Sequence, residues 1–204
     1  MNAPKLILAS GSKDRVKSFQ RAKLKFEVVV SDYDEDALKN SNYSPANLAE
    51  ELARQKALNV KKKLESKEEN AIIVAADTLV EFKGQIIGKA KDKTDAFQTL
   101  KKLSNNKHTL ISAIAITETF NDKIVSDCDA TAVSFNQLSD DEISNYISTG
   151  EWEGRAGAYS INDKAALFID KIEGSPSTVM GIPMQKMFLI LKREFNYNLM
   201  QLLD

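Results

Sequence analysis

Ile72, Ile73, Val74, Ala75 and Ala76 form an unbroken apolar run, and the chain places a carboxylate, Asp77, directly in line with it. The run reads as a buried strand. An acid inside it must be hydrogen-bonded, ion-paired or metal-bound, because burying a bare carboxylate costs on the order of several kcal/mol. Thr78 follows, and apolar residues resume at Leu79, Val80 and Phe82. Lys83-Gly84 reads as a tight turn and Gln85 to Ile87 as a return strand ending at Gly88-Lys89, a hairpin able to carry Lys89 back towards Asp77. The plainer reading is a strand-end Asp that satisfies a turn. The rest of the chain decides between them by the partners it offers.

At 204 residues there is material for one sizeable core, with room for a division into two lobes. Hydrophobic content of 43% and charged content of 28% are those of a soluble globular protein. The net charge of -1 argues against wholesale nucleic-acid binding, which needs a basic excess. Cys128, the one cysteine, excludes an internal disulfide and fits a reducing cytoplasm. The opening stretch lacks the apolar segment of a signal peptide, and no run approaches membrane-spanning length.

Leu6 to Ala9 reads as the first buried strand, Ser10-Gly11-Ser12 as a turn, and Lys13 as the start of a helix with Ser12 its N-cap. A strand, a small hydroxyl-rich turn and a helix N-terminus together present free N–H groups and a dipole to an anion. Arg15 in the first turn opposes that dipole, which makes sense if it serves a phosphate; ordinary capping is the alternative. There is no Walker motif and no GxGxxG.

Phe26 to Val30 reads as a second strand running into the acidic loop Ser31-Asp32-Tyr33-Asp34-Glu35-Asp36, which is either solvated or holds a hard cation. Ser44-Pro45 opens a long helix whose apolar face runs through Leu48, Leu52 and Val60. Lys56 falls on that face, so it either snorkels out or points at a buried anionic site. Lys61-Lys62-Lys63 reads as a solvated face.

A helix is expected over Asp92 to Leu103, then strands over Thr109 to Thr117 and Lys123 to Phe135 with a turn at Asn121-Asp122. The second strand alternates at Cys128, Ala130 and Ala132 and changes phase at Val133, which predicts a bulge. Cys128 reads as core, and His108 as a structural residue at a strand start. Ser139-x-x-Glu142 is a capping box for a helix that Gly150 ends. The small residues of Ala156-Gly157-Ala158-Tyr159 let backbone approach a ligand, or make a tight packed turn. A strand over Ala165 to Ile169 and a last helix after Gly181-Ile182-Pro183 complete the chain.

Taken in order, Leu8-Ala9-Ser10-Gly11-Ser12, Ala76-Asp77-Thr78, Gly88-Lys89, Gly150-Glu151-Trp152, Ala156-Gly157-Ala158-Tyr159, Gly174-Ser175 and Val179-Met180-Gly181-Ile182-Pro183 resemble the Maf family from Leu6 to about Leu191. The resemblance implies a nucleoside triphosphate pyrophosphatase that cuts between the α- and β-phosphates. It implies an α/β fold, a mixed twisted sheet with flanking helices in two lobes around a central cleft, of the kind shared with inosine triphosphatases. The whole of residues 1–204 would be one such domain, cytoplasmic and homodimeric, with a house-cleaning role.

By position, the resemblance puts Ser10, Ser12 and Arg15 at the triphosphate and Glu35 and Asp77 at the family's acids. Lys56 and Lys89 fall at its two lysines. Glu35 and Asp77 would hold a divalent Mg²⁺ or Mn²⁺. The cations would neutralise phosphate oxygens, and Asp77 would be the general base. Thr78 resembles the branch that acts on dTTP and UTP. Three departures touch substrate identity, leaving modified nucleotides open as substrates. Ser12-Lys13-Asp14-Arg15 stands where the family has Ser-Pro-Arg-Arg; Asn162 replaces Gln in the Tyr-x-Ile-Gln stretch; Asp163 replaces the Gly after it. The competing expectation is a weakly active nucleotide-binding regulator linked to septum formation.

Overall fold

The apolar run around Ile72 forms most of β3 (Ala71–Phe82) in the computed structural model, which describes residues 4–38 and 42–202. Among the described residues the strand order is β2-β1-β3-β5-β6-β7, with β4 off this path against β3; the ranges are β1 (Lys5–Leu8), β2 (Glu27–Val28), β4 (Gln85–Ile87), β5 (Lys107–Glu118), β6 (Ile124–Phe135) and β7 (Ile169–Glu173). The helices are α1 (Lys13–Arg21), α2 (Pro45–Glu65), α3 (Lys93–Leu103), α4 (Asp140–Ser148), α5 (Pro176–Val179) and α6 (Met184–Glu194). The expected mixed α/β sheet with flanking helices is what the chain forms. No described helix is long and apolar enough to cross a membrane.

The chain divides into two compact units, the first comprising Met1–Asp77, Ser112–Asp129 and Gly181–Asp204. There β1 runs parallel to β3 in the register Lys5↔Ala71 to Leu8↔Val74, and parallel to β2. Leu6, Leu8, Ile72, Val74 and Ala76 pack with Phe19, Ile114, Ile182, Met187 and Leu191 in one core. Ile7, Ile73 and Ala75, on the opposite pleat, are equally inaccessible, so these strands are covered on both faces. In α2, small Ala49, Ala53 and Ala57 are buried alongside Leu52, Lys56, Val60 and Leu64. Ser44 caps that helix, its Oγ accepting from Asn47 N at 3.2 Å.

The second unit is Thr78–Ile111 with Ala130–Met180. Here β3 and β4 form the expected hairpin, Val80↔Ile87 to Phe82↔Gln85. Lys83 at φ 50° and Gly84 at φ 78° form the two-residue turn that right-twisted strands favour. Phe135 is the hub of an aromatic core, edge-on to His108, Tyr159 and Phe168 at 4.9, 4.8 and 5.0 Å. Gly174, at φ 137°, admits no side chain: a Cβ would lie 2.5 Å from Thr131 Oγ1 and 3.1 Å from Thr131 Cα.

Several local expectations are corrected. The strand placed over Ala165 to Ile169 is a 3-10 turn, Lys164–Leu167, with β7 starting only at Ile169. The buried Glu151 carboxylate accepts from Lys164 N at 3.0 Å and Ala165 N at 3.2 Å and so holds the turn's first N–H groups. The strand placed over Phe26 to Val30 shrinks to Glu27–Val28. Lys61 is buried rather than solvated, its Nζ donating to Asn121 O. In β6 the expected bulge is present, as a register shift at Ser134/Phe135, but the buried set is Thr131, Val133 and Phe135. Cys128 is therefore only half-buried, not core, and desolvation followed by Glu50 pushes its thiol up to about 11, far from a reactive thiolate.

His108, near the start of β5, is structural as expected: it is buried, with Nε2 2.8 Å from Tyr159 Oη. Burial lowers its pKa from 6.5 to about 4, and its Nδ1 has no partner among the described residues. The unfolded chain thus binds a proton that the native state refuses between those values. Stability contributed by neutral His108 is fully present above pH 6.5 and is lost as pH falls towards 4. The expected loss is about 3 kcal/mol, from ~1.4 kcal/mol per pKa unit. Urea melts between pH 7 and 4 should show this slope, and a His108→Gln variant should flatten it.

Candidate active site

At the carboxyl end of β1 the chain turns through Ser10, which is buried, and enters α1 with Ser12 as its N-cap. Ser12 makes no capping bond with its side chain; instead its backbone N–H donates to Ser10 Oγ at 3.2 Å. Arg15, one turn in, is held at two points. Nε donates to Gly181 O at 2.7 Å and Nη1 to Ser10 Oγ at 3.1 Å. A side chain fixed by a carbonyl 166 residues away keeps its guanidinium plane oriented before any ligand arrives. Desolvation lowers the Arg15 pKa, and the fields of Asp77, Glu35 and Asp14 oppose that drop. A guanidinium stays charged throughout.

Lys56 does not snorkel. It is buried, and its Nζ lies between two carboxylates, pairing with Asp77 Oδ1 and with Glu35 Oε1 at 2.8 Å. Asp77, 5% exposed at the end of the apolar run, therefore has the partner that burial demands. Glu35 opens a 3-10 turn, Glu35–Leu38, and its side chain is 44% exposed. The first unit thus gathers Ser10, Arg15, Glu35, Lys56 and Asp77 around a cation–carboxylate cluster beyond the end of β1 and at the middle of β3. Asp14, in the first turn of α1, sits where an acid favours the helix dipole.

The remaining expected residues lie in the second unit. Thr78 is half-buried in β3. Lys89 is exposed, and the ladder with β3 does not extend to it; it bridges Ala156 instead, with Gly157 N donating to Gly88 O at 3.3 Å. Gly157 at φ 71° has Val80 Cγ2 3.1 Å from where a Cβ would stand, so the Ala156–Tyr159 stretch is tightly packed. Asn162 is half-buried, its N–H 3.4 Å from Ser160 Oγ, and Asp163 pairs with Arg155 at 3.5 Å. That ion pair is the structural setting of the Asp that departs from the family's Gly.

Two contributors carried no local signal. Gly181 acts through its carbonyl, which no side-chain pattern betrays. Glu151 accepts from Tyr146 Oη at 2.9 Å as well as from the 3-10 turn, so it organises the second unit from inside. The hint for Glu151 was an acid between two Gly-Trp motif neighbours, legible only as part of a motif.

Residues 5–194 match the family model described as Maf-like protein. The chain is 41% identical over 196 residues to a dTTP/UTP pyrophosphatase of Thermoanaerobacter sp. (strain X514), covering 96% of this chain and 100% of that protein. It is 42% identical over 195 residues to a dTTP/UTP pyrophosphatase of Alkaliphilus oremlandii (strain OhILAs), covering 96% and 98%. Among solved structures, the Staphylococcus aureus Ham1 protein aligns with a TM-score of 0.35 and 13% identity over 64% of this chain and 71% of its own.

Proposed function

Since this chain belongs to the Maf-like family, we propose that it hydrolyses a nucleoside triphosphate to the monophosphate and pyrophosphate, with dTTP and UTP as its substrates. The observation that carries this reading is the buried Lys56 held between Asp77 and Glu35, beside an Arg15 oriented at a helix N-terminus. A polyanion needs fixed cations, and phosphoryl transfer is catalysed mainly by positioning and charge stabilisation. Arg15 and the α1 N-terminus, with Ser10 and Ser12, bind the triphosphate oxygens. Lys56 and Lys89 offset the charge that builds on the departing pyrophosphate.

Water attacks the α-phosphorus, the bridging bond to the β-phosphate breaks, and pyrophosphate leaves with the electron pair. Asp77 takes the proton of the attacking water. With Lys56 on Oδ1, the proton goes to Oδ2. Thr78 and Asn162 are assigned to substrate recognition, with Thr78 following the dTTP/UTP branch.

Glu35 and Asp77 are also the residues to hold a divalent ion. No group of three or more His, Cys, Asp or Glu among the described residues could cage one. Lys56 Nζ takes up one oxygen of each carboxylate, so their other oxygens would be the ones to hold Mg²⁺ or Mn²⁺, which would complete its shell with water and substrate phosphates. When bound, such an ion neutralises phosphate charge and acidifies water. Half-buried Cys128, without a second cysteine, suits a reducing cytoplasm, and the family resemblance adds a homodimer.

Pyrophosphate release should be measured with dTTP, UTP, CTP and a methylated guanine nucleotide. Release from dTTP and UTP is expected with Mg²⁺ or Mn²⁺, stopping on addition of excess chelator and returning with metal. No release from any nucleotide would make the protein a binder without turnover. Full turnover in chelator would remove the metal from the reading.

A further inference from the structure

Glu35 sits on a loop with little apolar anchorage. The β2 ladder ends at Val28, Val29 N donates once more to Leu8 O at 3.1 Å, and Val30 beyond it is 55% exposed. The next residues bond within the loop, as Tyr33 N does to Ser31 Oγ at 3.2 Å, and to α2. Lys63 Nζ donates to Val30 O at 3.1 Å and pairs with Asp32 Oδ2 at 3.0 Å. Asn59 Oδ1 accepts from Ser31 Oγ and from Asp32 N, both at 3.2 Å. Lys56 then takes Glu35 at 2.8 Å.

Positions 56, 59 and 63 are spaced i, i+3 and i+7, so they form one stripe of the helix. The stripe grips the loop at successive points and ends on the catalytic cluster. Lys63, followed by Asn59, holds the Asp32 carboxyl below its ordinary pKa, as a settled contact would.

We propose that Asn59, supported by Lys63, is a positioning residue for the pyrophosphatase reaction, setting the 30–35 loop against α2 so that Glu35 meets Lys56 and the triphosphate. This rests on the reading above that Glu35 acts at the phosphates. Asn59 is the central clamp because one oxygen fixes both a side chain and a backbone N–H of the loop. Without that acceptor the loop slides relative to the helix, and Glu35 is misplaced while Lys56 and Asp77 stay put.

The test is a double-mutant cycle with dTTP as substrate. Asn59→Leu, similar in size and without the acceptor, should lower kcat about tenfold, the low end for an outer-shell partner. KM should change less than kcat, and the melting temperature should hold. In a Glu35→Gln background the same Asn59→Leu change should cost less than about twofold, because its effect passes through Glu35. Lys63→Gln, at a half-buried position, repeats the cycle with a smaller drop should Asn59→Leu fail to fold. Equal costs in both backgrounds, or full activity of Asn59→Leu while Glu35→Gln is impaired, overturns the clamp alone. Wild-type turnover in Glu35→Gln overturns the role of Glu35 itself, and the clamp with it.

Discussion

Asp77→Asn should lower turnover at least ~100-fold, the scale of a lost acid–base or metal-binding group. The amide is nearly the same size and still offers an oxygen to Lys56, so the end of the apolar run keeps its packing. Lys56 also keeps Glu35 as a counter-charge. What disappears is the group that accepts a proton and half of the carboxylate pair. Circular dichroism should be unchanged and the melting temperature should move little. Near-full pyrophosphate release from this variant would take Asp77 out of the mechanism.

Lys56→Met should have the larger effect on the fold. It removes the buried ammonium that faces both carboxylates and leaves Asp77, 5% exposed, without this ion-pair partner and with the field of Arg15 to offset its charge. Breaking a buried pair from one side costs about 3–5 kcal/mol, because the remaining charge is stranded away from water. Methionine keeps most of the aliphatic stem's volume, so the loss is electrostatic rather than a cavity. Urea denaturation should show the midpoint falling with an unchanged slope. Turnover should collapse as well. Pairing with Asp77→Asn should recover much of the lost stability without restoring activity, since that combination buries no bare charge. A Lys56→Met protein as stable as wild type would mean that Asp77 is paired elsewhere.

Much of this was legible along the chain. The hairpin turn at Lys83-Gly84, the Ser44 and Ser139 caps, and the inward stripe of α2 follow from sterics and hydrogen bonds spanning a few residues. Asp77 was conspicuous because an acid in an apolar run has few ways to survive. Where reading failed, a distant group had taken over. Glu151 turned the expected strand at Ala165 into a 3-10 turn from 14 residues away. The alternation at Cys128 and Ala130 looked like a buried face, yet the face of β6 that is covered carries Thr131, Val133 and Phe135. Alternation shows that a strand has two sides, not which side the rest of the fold will cover.

The sequence by itself determined most of the element types, the family, and the identities of the acids and cations available for phosphate chemistry. These depend on local periodicity, on capping, and on which side chains carry charge. Only the tertiary structure decided that Lys56 faces Asp77 across 21 residues of chain, and that Arg15 is pinned by the carbonyl of Gly181, 166 residues away. It likewise decided that one stripe of α2 grips the Glu35 loop. Such pairings form when strands and helices from separate parts of the chain exclude water together, and no short-range rule encodes which buried charge will meet which.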